Sequence, residues 1–247
     1  MIAATTRTIV GRRGTFLGGA ALALLVVIAV AVVRVIVNAR DPETHPSIGG
    51  FWYLESAIGL LFFIGILVGI LMGALAGSYD VAQGTMRYLL MTGRSRIAIY
   101  ATRAVALVLS VFVALAPAVA LALVLGFALP YTDEQGIFTR DLLGDLWSIV
   151  LFVGAYALVS MGIGSLLRSN GAAITVALVI NFALTPVIIA VAAWSERVAS
   201  FALPVALGTL TGDDDTEISI GLAAVAVAGW LALFLGAGWA RIARDEY

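Results

Sequence analysis

Every residue from Ala57 to Gly77 is apolar or glycine, and from Gly65 onward glycine returns at every fourth position, as Gly65, Gly69, Gly73 and Gly77. A run this long and this apolar has no water to satisfy its backbone if it enters lipid, so it must close its hydrogen bonds within itself as a helix. Residues four apart stack on one helix face, and glycine there admits another backbone at close range. The spacing therefore predicts a membrane-crossing helix with one small-residue seam. The general abundance of glycine in such helices is the plainer account of the same residues.

Five further stretches meet the length requirement of about 20 apolar residues. With the first they give six expected spans: Phe16 to Val37, Ala57 to Gly77, Ala104 to Leu129, Leu146 to Leu167, Ala172 to Trp194, and Ile218 to Ala240. Their continuity excludes the alternating pattern of a membrane β-barrel. With 62% hydrophobic and 12% charged residues and a mean hydropathy of +1.08, residues 1–247 read as one all-α integral membrane domain. The first apolar stretch exceeds a signal h-region and is followed by Arg34 and Asn38 rather than a small-residue cleavage site, so it is expected to stay in the protein.

Arginine sets the expected orientation. Ten of the 14 basic residues fall at the chain ends and in the second and fourth loops, whereas twelve of the 15 acids fall on the other side. Both termini are then cytoplasmic, and the outer segments are short and acidic. One of them holds an apolar element, Val198 to Leu207, too short to span; it reads equally as a re-entrant helix or a greasy surface loop. Pro117 and Pro186 lie inside the third and fifth spans, where each removes a backbone hydrogen bond and favours a kink.

The loop after the second span reads as a short helix lying on the membrane surface. Thr85 is placed to cap it, Met86, Leu89 and Leu90 share a face, and Gly93 is placed to end it in a left-handed turn. Arg94 and Arg96 follow at its C-terminal end, where cations suit the helix dipole and anionic headgroups.

Chemistry is sparse. Without cysteine there is no disulfide framework or thiolate site. All 14 basic residues are arginine, so no phosphate-binding loop of the type that requires lysine can be present. No ionisable residue falls at mid-depth, where one would flag an ion-coupled carrier, and no metal-ligand or catalytic constellation is visible. The most informative polar groups within the spans are Tyr156, Ser160 and Asn181, candidates for the lining of a substrate path. For Asn181 the competing reading is a simple interhelical hydrogen bond. The charge balance gives no reason to expect nucleic acid as a partner.

The pattern Asp80-x-x-x-Gly84-Thr85-x-x-x-Leu89-Leu90, followed by Arg96 and Arg103, resembles the permease subunits of ATP-binding-cassette exporters of the second type, including their bacteriocin-immunity and antibiotic-efflux branches. That family's pattern has glutamate at position 80, proline at 93 and lysine at 103, so this chain departs from it at each. The resemblance implies that the loop is a coupling helix docking on a separate cytoplasmic ATPase subunit, with Asp80, Gly84, Thr85, Leu89, Leu90 and Arg96 forming the contact. It further implies ATP and Mg on that partner and none in this chain, which would be no enzyme itself. A second permease copy or paralogue would complete the path, a stretch from Thr5 to Thr15 would form an interfacial helix, and the whole would sit in a bacterial plasma membrane. The expected activity is ATP-driven export of an amphiphilic or hydrophobic substrate such as a drug, a lipid or an antimicrobial peptide. The alternatives are a secondary carrier or channel, and a membrane scaffold or sensor that transports nothing.

Overall fold

A computed structural model describes residues 5–6, 13–42, 48–84, 91, 93, 95–130, 140–167, 169–184, 187, 190, 201–212 and 219–244. Among the described residues there is no strand. The helices run in the order α1 (Arg13–Arg40), α2 (Gly50–Ala82), α3 (Arg96–Ala128), α4 (Arg140–Leu166), α5 (Asn170–Leu178), which passes into a π-helical turn at Val179–Leu184, α6 (Leu203–Thr211) and α7 (Ile220–Arg244). Five of them, α1 to α4 and α7, are long and apolar enough to cross a membrane.

Five expected spans lie within these helices or match their ends to within two residues; the third helix begins at Arg96, so the apolar run ahead of Ala104 is one continuous helix with the span. Of the fifth expected span, Ala172 to Trp194, the described residues give the apolar helix Asn170–Ala183; Thr185, Pro186 and Trp194 lie outside the described residues. Most of the Thr5 to Thr15 stretch does so too. The apolar element before the last span is a helix, α6, whose Leu203, Ala206 and Leu207 are buried. Pro204 opens it at a position where its missing N–H costs nothing, and Gly212, at φ +80°, closes it in the left-handed region.

The bundle is built around α4. In its most apolar stretch 72% of residues are buried, against 17% in α1 and 11% in α7, so the outer helices leave most of their surface for lipid. The glycine face of α2 packs on α4. A Cβ on Gly69 would stand 3.0 Å from the Val153 carbonyl oxygen, one on Gly73 would strike the Ala157 carbonyl oxygen, and one on Gly77 would strike that of Met161 and lie 2.6 Å from Ser165 N. The approach is mutual, since Gly164 of α4 meets the Ala74 carbonyl oxygen of α2. The contacts advance together along both chains, so α2 and α4 run parallel. On its other side α4 presents Gly162 to the Phe234 backbone of α7.

Four buried serine hydroxyls are satisfied locally. Ser78, Ser110, Ser148 and Ser165 each donate to the carbonyl four residues back, at 2.7–3.0 Å, the usual resort of serine inside an apolar helix.

Candidate functional site

The arginine-rich loop reading directs attention to the end of the bundle where α2 finishes and α3 begins. α2 ends at Ala82 because Gly84 takes φ +67°, a conformation that suits glycine. Its N–H donates to the Val81 carbonyl at 3.2 Å, and Gln83 N–H to that of Tyr79 at 2.9 Å. Gly93 is likewise left-handed, at φ +75°. Ser95 then caps α3, its Oγ accepting from Ala98 N at 3.3 Å. The segment expected to form the short surface helix is thus bracketed by two glycine turns. Thr85, Leu89 and Leu90 lie outside the described residues.

Two of the motif's charged residues are engaged within the bundle. Asp80, in the last turn of α2, forms an ion pair with Arg103 of α3. Their side chains are 17% and 5% exposed, which makes this a largely buried pair with the guanidinium the more enclosed member. The second terminal nitrogen of Arg103, Nη1, is enclosed without an acceptor among the described residues. Arg96, in the first turn of α3, donates through Nη1 to the carbonyls of Ile242 at 2.8 Å and Ala243 at 3.0 Å. Those carbonyls belong to the last turn of α7, where helical acceptors lack partners and a cation is favourable. At the same end of α2, Ser78 Oγ lies 2.9 Å from Asn170 Oδ1, bringing α2 against the start of α5. The loop between α2 and α3 therefore springs from a knot that ties together α2, α3, α5 and α7.

Sequence reasoning placed Asp80 and Arg96 in a docking surface; the knot to which they belong was not foreseen. The sequence marks Arg103 only as a motif position, whereas Ser95, two residues ahead of the apolar run that begins at Ile97, is a legible cap signal outside that motif. Gly162 and Gly164, the close-contact points of α4, are likewise marked by no motif.

The three candidates for a polar lining are neighbours in the bundle interior. Asn181 Nδ2 donates to the Ala177 carbonyl at 2.6 Å and lies 3.4 Å from Ser160 Oγ, and Tyr156 stands one turn before Ser160 on α4. They are 5%, 0% and 7% exposed for Tyr156, Ser160 and Asn181, so none offers a polar face to a passage in this conformation. Because the strong bond of Asn181 is to its own helix and the one across to α4 is long, Asn181→Ala is expected to cost below about 1 kcal/mol. That corresponds to a fall in detergent melting temperature of less than about 4 °C, and a larger fall would show that the contact with Ser160 carries the packing of α5.

The ABC-2 family transporter protein model matches residues 6–246. No curated protein matches the chain.

Proposed function

Because the chain belongs to the ABC-2 family of transporter proteins, and is the membrane permease of an ATP-binding-cassette transporter that works with an ATPase subunit, we propose that it is the export permease of its complex and is driven through the segment between Gly84 and Gly93. The observation that carries this reading is the knot of Asp80, Arg103 and Arg96 at the root of that segment. A load applied to a loop moves a bundle only if the loop's ends are fixed to helices that must move with it. Asp80 fixes one end to α2 and α3, and Arg96 fixes the other to α3 and α7. Thr85, Leu89 and Leu90 then supply the surface on which the ATPase subunit sits, with ATP and Mg held on that subunit. Asp80 and Arg96 act as its anchors more than as contact residues.

In this reading the arginine-rich end faces the cytoplasm of a bacterium, both termini lie on that side, and six helices cross the plasma membrane. Two permease copies, or one copy and a paralogue, enclose the path. The walls offered by these helices are alanine, valine and leucine, which suit an amphiphilic cargo such as a hydrophobic drug, a lipid or a membrane-active peptide.

The test is Leu89→Arg in the full permease, co-expressed with its ATPase subunit. The variant is expected to reach the membrane at normal yield and to melt with the wild type, because Leu89 lies in the surface segment, but to lose copurification of the ATPase subunit. Transport should fall at least tenfold, the effect of about 1.4 kcal/mol at the contact. Full copurification with undiminished transport would reject the docking assignment.

A further inference from the structure

At the opposite end of α2 from the knot, an apolar cleft of about 350 Å³ lies between α1 and α2. Val26, Ala29, Val30 and Val33 of α1 and Leu60 and Ile64 of α2 form its walls, with Arg34 and Ser56 completing the lining. Val33 and Leu60 are 56% and 49% exposed, so the cleft opens outward from the bundle. From Arg34 to Val26 is roughly 12 Å of helix, close to the depth of one leaflet of a hydrocarbon core about 30 Å thick.

Arg34 is held in place at the head of this cleft. Its Nη2 donates to Ser56 Oγ at 2.6 Å and to the Trp52 carbonyl at 2.9 Å, and Ser56 Oγ itself donates to that carbonyl at 2.9 Å. Nε and Nη1 make no hydrogen bond among the described residues. A guanidinium fixed by one nitrogen with others to spare matches the oxygens of a phosphate. Trp52 beside it is 55% exposed, as an indole at headgroup level would be. The neighbouring cleft on the other flank of α2 has the opposite character, lined by Glu55 and Asp145, and repels phosphate.

We propose that the cleft between α1 and α2 binds one diacyl phospholipid, its phosphate on Arg34 and one acyl chain lying along the Val26 to Val33 and Leu60 to Ile64 walls. The charge at the head and the apolar walls below it select this ligand together: the guanidinium requires an anion, and the walls require a hydrocarbon tail joined to it. The site depends on the chain's lying in a membrane and on nothing proposed for the loop.

Native mass spectrometry of the delipidated full-length protein, titrated with phosphatidylglycerol and with diacylglycerol of the same chains, tests it. The wild type is expected to hold one phosphatidylglycerol about tenfold more tightly than diacylglycerol, the discrimination expected of one charge-assisted contact. Arg34→Gln should reduce phosphatidylglycerol to the level of diacylglycerol, and Arg34→Lys should keep most of the preference. Ala29→Trp, which fills the cleft without touching Arg34, should remove the bound lipid, and Glu55→Ala in the other cleft should change nothing. Equal binding of the two lipids by the wild type, or undiminished phosphatidylglycerol binding in either Arg34→Gln or Ala29→Trp, would overturn the assignment.

Discussion

Asp80→Ala is expected to destabilise the permease by about 3–5 kcal/mol, the cost of leaving one member of a buried ion pair without its partner. Arg103 is only 5% exposed, and its Nη1 already has no acceptor among the described residues, so removing the carboxylate strands the whole guanidinium. With total stabilities of about 5–15 kcal/mol, the variant should accumulate poorly and melt far below the wild type in detergent. The control is the double variant Asp80→Ala with Arg103→Met, which replaces the pair by apolar groups and should recover at least half of the lost stability. A single variant that melts with the wild type would show that the pair contributes nothing. A double variant that is stable, but whose ATPase subunit hydrolyses without transport, would mark the pair as the route by which the loop moves α2 and α3.

Gly73→Leu should be as damaging by a different mechanism. The new Cβ would occupy the place of the Ala157 carbonyl oxygen, and a backbone group on a packed helix cannot rotate aside as a side chain does. A cost of roughly 3 kcal/mol, the upper end of overpacking penalties, is expected, read as loss of monodisperse protein in size-exclusion chromatography and a lower melting temperature. Gly59→Leu supplies the comparison, since nothing stands within 4 Å of a Cβ at Gly59 and that variant should behave as the wild type. If the two variants match, the α2–α4 contact is looser than described.

These two sites also show how far the sequence could be read. Period and length mark the long helices because in lipid the backbone has few other choices, and the seam at Gly65, Gly69, Gly73 and Gly77 is visible because one helix face repeats. Its partner is not visible. Gly162 and Gly164 of α4 are two residues apart, so they face different neighbours, one toward α7 and one toward α2, and no single-face period reveals them. Asp80 and Arg103 are separated by a loop and lie just beyond the apolar runs, where charges normally meet water. Only the side-by-side arrangement of α2 and α3 turns them into a buried pair. The same holds for Arg96, whose acceptors are carbonyls at the far end of the chain and leave no mark in residue type. Asn181 is legible as a polar group in an apolar run, but the π-helical turn that carries it is not. Such turns add a residue to the local repeat without a signature in composition.

The contact between α2 and α4 limits how the bundle can rearrange. Where carbonyl oxygens of one rod occupy the notches left by missing side chains on the other, a small slip drives backbone into backbone, so the two rods travel as one stave or jump by a full repeat. Whatever opens and shuts during turnover is then left to members outside this pair, such as the sparsely buried α1, swinging against a stiff central spine.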